Sequence, residues 1–147
     1  MCEGVDRMSR LVIAGHGGYG TAMKKTLSML VGETPEIVYV DFDMDDDLNS
    51  LIAKLHGALE SCGDDEVLLA CDVAGGSPFR QCAILCLEAP GKRFAVAGLN
   101  VSAYCEMAYN LELSAAGLLE LAEETAHATI MHFPQDPVGE EAGKADL

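Results

Sequence analysis

Two short stretches of this chain combine residue types suited to chemistry. His16 follows the apolar run Leu11-Val12-Ile13-Ala14-Gly15 and precedes Gly17-Gly18-Tyr19-Gly20. Asp72 follows a second apolar run, Val67-Leu68-Leu69-Ala70-Cys71, and precedes Val73-Ala74-Gly75-Gly76-Ser77-Pro78-Phe79. Each run reads as a buried strand passing through glycines into a helix. Open α/β sheets collect their ligands at such strand ends. The glycines beside His16, Gly17 among them, leave the imidazole approachable. Free imidazole titrates near pH 6.5, so roughly three parts in four are neutral at pH 7. A neutral ring nitrogen is a good phosphoryl acceptor. A carboxylate bonded to one ring nitrogen fixes the tautomer and leaves the other nitrogen free to attack. Asp72 is assigned that role.

The phosphoryl oxygens need donors. Backbone N–H groups of Gly75, Gly76 and Ser77, at a helix start, supply them together with the helix dipole. Ser77 reads as the N-cap and Pro78 as a first-turn proline. Transfer from one nitrogen to another needs no metal, and no cofactor is expected. Each residue also has a plainer reading. His16 can be a turn histidine, Asp72 a helix-capping acid, Gly75-Gly76 only a turn. Asn100 supports either the His16 loop or a local turn.

These residues need a scaffold, and strand and helix signals alternate along the chain. Strands are expected over Leu11–Ala14, Ile37–Phe42, Val67–Cys71 and Phe94–Ala97. Helices are expected over Thr21–Val31, Asp47–Cys62, Ser77 to about Glu88, Ser102–Tyr109 and Ala115–Thr125. In Asp47–Cys62, for example, Leu48, Leu51, Ile52, Leu55 and Leu59 recur at helical spacing. Four βα units in succession imply a parallel sheet with helices on both faces. The loops carrying His16, Asp72 and Asn100 would then open on one edge. Residues 1–10 read as a flexible extension, with Met8 a second candidate start. Residues 11–133 read as one domain, with a β-prone stretch at Thr129–Phe133. Residues 134–147 are polar and read as a disordered tail.

Composition narrows the function. A length of 147 residues suits one domain with a full core. A formal net charge of −15 speaks against nucleic acid and anionic membrane surfaces as partners. No apolar stretch is long enough to span a bilayer, and the start has no apolar signal core, so a cytoplasmic protein is expected. The six cysteines form no CxxC pair and read as reduced thiols, mostly buried.

Two other patterns compete. Gly15-His16-Gly17-Gly18-Tyr19-Gly20 satisfies G-x-G-x-x-G, and Asp41 lies where a dinucleotide fold keeps its ribose-binding acid. A dinucleotide-binding module using Gly15, Gly17, Gly20 and Asp41 is therefore the alternative. It leaves Gly75-Gly76-Ser77-Pro78 without a role. The run Asp41, Asp43, Asp45, Asp46 and Asp47 resembles a calcium loop only loosely. Asp46 stands where glycine is needed and Ile52 where glutamate is needed.

The elements Gly15-His16-Gly17, Thr26 to Glu33, Asp72 with Gly75-Gly76-Ser77-Pro78-Phe79, and Ala97-Gly98-Leu99-Asn100 match in order and spacing over Leu11 to Phe133. In these the chain resembles the IIA component of the mannose-type sugar phosphotransferase system. The resemblance implies a phosphoryl carrier that takes a phosphoryl group from the phosphocarrier HPr on His16 and passes it to a IIB component. Membrane IIC and IID components would be reached only indirectly. Asp72 matches the family's aspartate. The resemblance also implies a homodimer in which Thr129–Phe133 joins the partner's sheet as an antiparallel strand. A regulatory role for the same phosphorylated histidine, toward a kinase or a transcription activator, is a further alternative. Gly15, Val73, Ala74, Arg80 and Ser102 depart from the residues common in the family.

Overall fold

The computed structural model describes residues 8–135. Four strands form one all-parallel sheet: β1 (Arg10–His16), β2 (Ile37–Phe42), β3 (Val67–Cys71) and β4 (Arg93–Ala97), in the order β2-β1-β3-β4. Parallel neighbours require crossovers, and helices supply them. These are α1 (Tyr19–Val31), α2 (Leu48–Cys62) and α3 (Ser77–Leu87), followed by α4 (Val101–Ala108) and α5 (Ala115–Ala128).

The central strands are buried on both faces, which is why they read as unbroken apolar runs. Alternate residues serve opposite layers. Leu11, Ile13, Leu68 and Ala70 pack with Leu27 of α1, Tyr104 and Met107 of α4, and Leu118 and Ala122 of α5. Val12, Ala14, Val67, Leu69 and Cys71 pack with Leu51, Leu55 and Leu59 of α2 and with Cys82 and Leu85 of α3. The sheet is thus covered by three helices on one face and two on the other.

Strand order creates the crevice. From β1 the chain steps sideways to β2, then crosses back over β1 to β3. The connections leaving β1 and β3 therefore diverge at their carboxyl ends, the place where open α/β sheets hold ligands. His16 is the last residue of β1, and Asp72 follows the last residue of β3.

Two boundaries differ from expectation. Ser9 is buried, donates its hydroxyl to the Leu113 carbonyl at 2.6 Å, and leads directly into β1 at Arg10, so the fold begins before Leu11. The remainder of the expected extension, and the tail beyond Gln135, lie outside the described residues. Thr129–Phe133 forms no strand in the single chain. Thr129 ends α5, and Ile130, Met131 and Phe133 are exposed. β4 pairs only with β3, so its outer edge is free among the described residues.

Candidate functional site

β1 carries His16 out of the core to the carboxyl edge, where its side chain is 46% exposed. Gly17 turns the chain away at a φ of 59°, a left-handed conformation that glycine adopts without a Cβ penalty. The Gly17 N–H is bonded to the Phe42 carbonyl at 2.8 Å, which anchors this turn to the end of β2. Phe42 pairs with His16 in register, and its ring lies 5.8 Å from the imidazole, centroid to centroid. The sequence reading missed Phe42. Its signal was available, since it ends the strand next to the one that ends in His16.

Asp72 meets His16 twice. Its Oδ2 accepts the His16 backbone N–H at 2.9 Å and lies 2.9 Å from the imidazole Nδ1. Its Oδ1 accepts the Val73 N–H at 2.9 Å. Burial pushes this carboxyl up, but the hydrogen bonds from the His16 backbone, the imidazole and Val73 outweigh it and hold it below the usual carboxylate range. An ionised Asp72 accepts from Nδ1–H, which leaves the Nε2 lone pair free. Asp72 caps no helix.

Nε2 faces the start of α3. A Cβ placed on Gly76 would stand 3.0 Å from Nε2 and would collide with Cε1. Only glycine lets the helix start approach the ring so closely. Gly76 rather than Ser77 is the N-cap of α3, and no side chain caps it. Ser77 is displaced one place into the helix, with Pro78 behind it, because the extended backbone at Gly76 already turns the chain. The N-cap of α1, Gly18, has no side chain to cap with, and Asp41 takes the Thr21 N–H of its first turn, whereas α2, α4 and α5 are capped by Asp47, Asn100 and Ser114. First-turn N–H groups of a helix have no partner within it, and they carry the positive end of the helix dipole. Gly75 is exposed beside them. The His16 imidazole, the Asp72 carboxylate and the start of α3 thus share one crevice.

Asn100 stands apart from this group. Its Oδ1 accepts the Ala103 N–H at 2.9 Å and its amide donates to Thr129 Oγ1 at 3.0 Å. It caps α4 and ties that helix to the end of α5. Arg80 is exposed on α3. The acids of the second strand end are engaged in the fold. Asp41 accepts from the Thr21 N–H at 3.0 Å and from its hydroxyl at 2.5 Å. Gly20 lets α1 pack against β2, since a Cβ there would lie 2.9 Å from the Val40 backbone. Asp46 pairs with Lys54 at 2.6 Å and Asp47 caps α2. The G-x-G-x-x-G pattern therefore has structural work in this chain, and Asp41 is already bonded to Thr21.

The chain matches the EIIA-man family, described as the fructose IIA component of the phosphotransferase system, over residues 10–126. It is 31% identical over 101 residues to the fructose-specific EIIA component of Bacillus subtilis (strain 168), a match spanning 68% of either chain. It is 29% identical over 131 residues to the mannose-specific EIIAB component of Escherichia coli (strain K12), covering 87% of this chain and 40% of that longer protein. Its fold matches the mannose/sorbose specific IIA subunit of Enterococcus faecalis with a TM-score of 0.80 at 22% identity, over 90% of this chain and 99% of that one. No helix among the described residues is long and apolar enough to cross a membrane. The family match covers most of the described residues, and the chain belongs to the mannose-type IIA family of the sugar phosphotransferase system.

Proposed function

We propose that this chain is a cytoplasmic phosphoryl carrier that accepts a phosphoryl group from phospho-HPr on His16 and delivers it to a IIB component. The observation that carries this reading is the single Asp72 Oδ2 that binds both the His16 N–H and Nδ1, while Nε2 faces the uncapped start of α3.

The Nε2 lone pair attacks phosphorus as the donor's P–N bond breaks, and that bond's electron pair returns to the donor imidazole. The transition state is loose, so positioning and charge stabilisation do most of the catalysis. Backbone N–H groups of Gly75, Gly76 and Ser77, leading into α3, receive the equatorial oxygens. Asp72 keeps Nδ1 protonated and balances the positive charge that develops on the ring. Its carboxylate does not take that proton, so the same arrangement runs in reverse when IIB attacks.

A homodimer completes the proposal. The free edge of β4 and the exposed Ile130, Met131 and Phe133 suit a strand contributed by a partner copy. An unpaired edge and an apolar segment each favour being covered.

Labelling tests the acceptor. With phosphoenolpyruvate, enzyme I and HPr, the native protein is expected to gain an acid-labile phosphohistidine, and His16→Ala to gain none while keeping its circular dichroism. A folded native protein that takes up no label would sink the carrier reading. Gly76→Ala is expected to slow labelling by about tenfold or more by pressing on the ring, with little change in thermal midpoint. Rates equal to native would remove the α3 start from the site.

Asp72 carries a pH signature. A carboxyl with a depressed folded pKa adds stability above its unfolded pKa, and that stability is lost as pH falls through the folded value. Native protein is therefore expected to exceed Asp72→Asn in urea stability at pH 7, with the gap closing as pH drops below the carboxylate range. A gap that stays constant with pH would count against an ionised Asp72 bonded to His16. Sedimentation equilibrium addresses the dimer: the native chain should weigh twice a monomer, and truncation after Ala128 should release monomers.

A further inference from the structure

Tyr104 is the largest fully buried side chain of the core, with no solvent exposure. Its hydroxyl is satisfied by the hydroxyl of Tyr19, 2.5 Å away. Tyr19 opens α1, three residues beyond His16. Its ring lies directly against Gly15, where an added Cβ would stand 2.6 Å from Cδ2 and 2.7 Å from Cγ. The ring thus occupies the space that any side chain at residue 15 would need, and it bears on the backbone immediately before His16.

A continuous series of contacts follows from this. Tyr104 is fixed in the layer between the sheet and α4. Its hydroxyl holds the Tyr19 hydroxyl. The Tyr19 ring presses on Gly15, and the next N–H in the chain, that of His16, donates to Asp72 Oδ2. That same oxygen holds Nδ1, so a shift of the strand end moves the backbone bond and the ring bond together. Burial foremost, with the nearby Asp72 charge among the lesser causes, raises the pKa of both phenols. The pair therefore keeps its protons at neutral pH and adds no charge beside Asp72.

We infer that Tyr19, held through its hydroxyl by Tyr104, is a positioning residue that sets the alignment of His16 against Asp72. Its catalytic consequence rests on the carrier reading of the same site. Neither tyrosine touches a reacting atom. Their effect is on how uniquely Nδ1–H points at Asp72 and Nε2 at the start of α3.

Positioning and simple fold support separate in a double replacement. Tyr19→Phe strands the buried Tyr104 hydroxyl, so its thermal midpoint should fall. Removing both hydroxyls, in Tyr19→Phe with Tyr104→Phe, leaves two apolar rings of similar shape and should recover most of that loss. Nitrogen-15 NMR of the His16 imidazole then reads the tautomer, and labelling through HPr reads the rate. In the double variant we expect the midpoint to recover while the ring remains a mixture of tautomers and labelling stays about tenfold slower. Return of the native tautomer and native rate along with the midpoint would overturn the inference, as would unchanged imidazole signals in every variant. If the native protein takes up no label at all, the carrier reading fails, and the imidazole signals alone still decide whether the tyrosines position His16.

Discussion

One carboxylate oxygen holds the site together. Asp72 Oδ2 binds the backbone and the ring of the same histidine, so it fixes where the residue is and which way its imidazole turns. Such a double contact needs two strands to end side by side. It also needs their outgoing loops to part, or a helix would fill the space above them. The order β2-β1-β3-β4 meets both conditions, because β1 and β3 are neighbours whose following helices pass to opposite faces of the sheet. The two-layer core exists in the same sense for the site. Residues from Leu11 to Ala14 and Val67 to Cys71 are almost wholly buried, and their rigidity is inherited by the residues that immediately follow.

The charge of the chain sharpens the demand on local structure. On the proposed carrier reading, a protein of net charge −15 has to provide positive potential at one point against an adverse overall field. The described residues around His16 do this without a lysine or arginine bonded into the site. The start of α3 has no side-chain cap, whereas α2, α4 and α5 are capped by Asp47, Asn100 and Ser114 and the Thr21 N–H of α1 is taken by Asp41. The nearby acids are held off by the fold: Asp41 by Thr21, Asp46 by Lys54, and Asp47 by the first turn of α2. Glycine at position 76 is the steric counterpart of this arrangement, since a larger residue would hold α3 away from the imidazole.

Much of this was legible in the residues. Every strand and helix was expected close to where it lies, because apolar runs and helical spacing both report burial. The pairing of His16 with Asp72 was legible as well, since a parallel sheet brings such strand ends to one edge. Other features depended on through-space geometry. Ser77 has the chemistry of a cap, but the backbone at Gly76 turned first. Asn100 looked like a possible partner of the His16 loop, yet its amide bonds the end of α5. Thr129–Phe133 has strand-forming residues, but among the described residues it pairs with no strand.

The residues by themselves determined the elements, the parallel class of the sheet, and the placing of a histidine and an aspartate at neighbouring strand ends. These follow from local periodicity and from the few connections that parallel strands allow. Only the tertiary structure decided which nitrogen of His16 is engaged, how near α3 comes to the other, and that Phe42 and Tyr19 flank the strand end. Those are distances of a few ångströms between residues far apart in the chain. They arise from how two packed layers settle around the sheet, which no local pattern encodes.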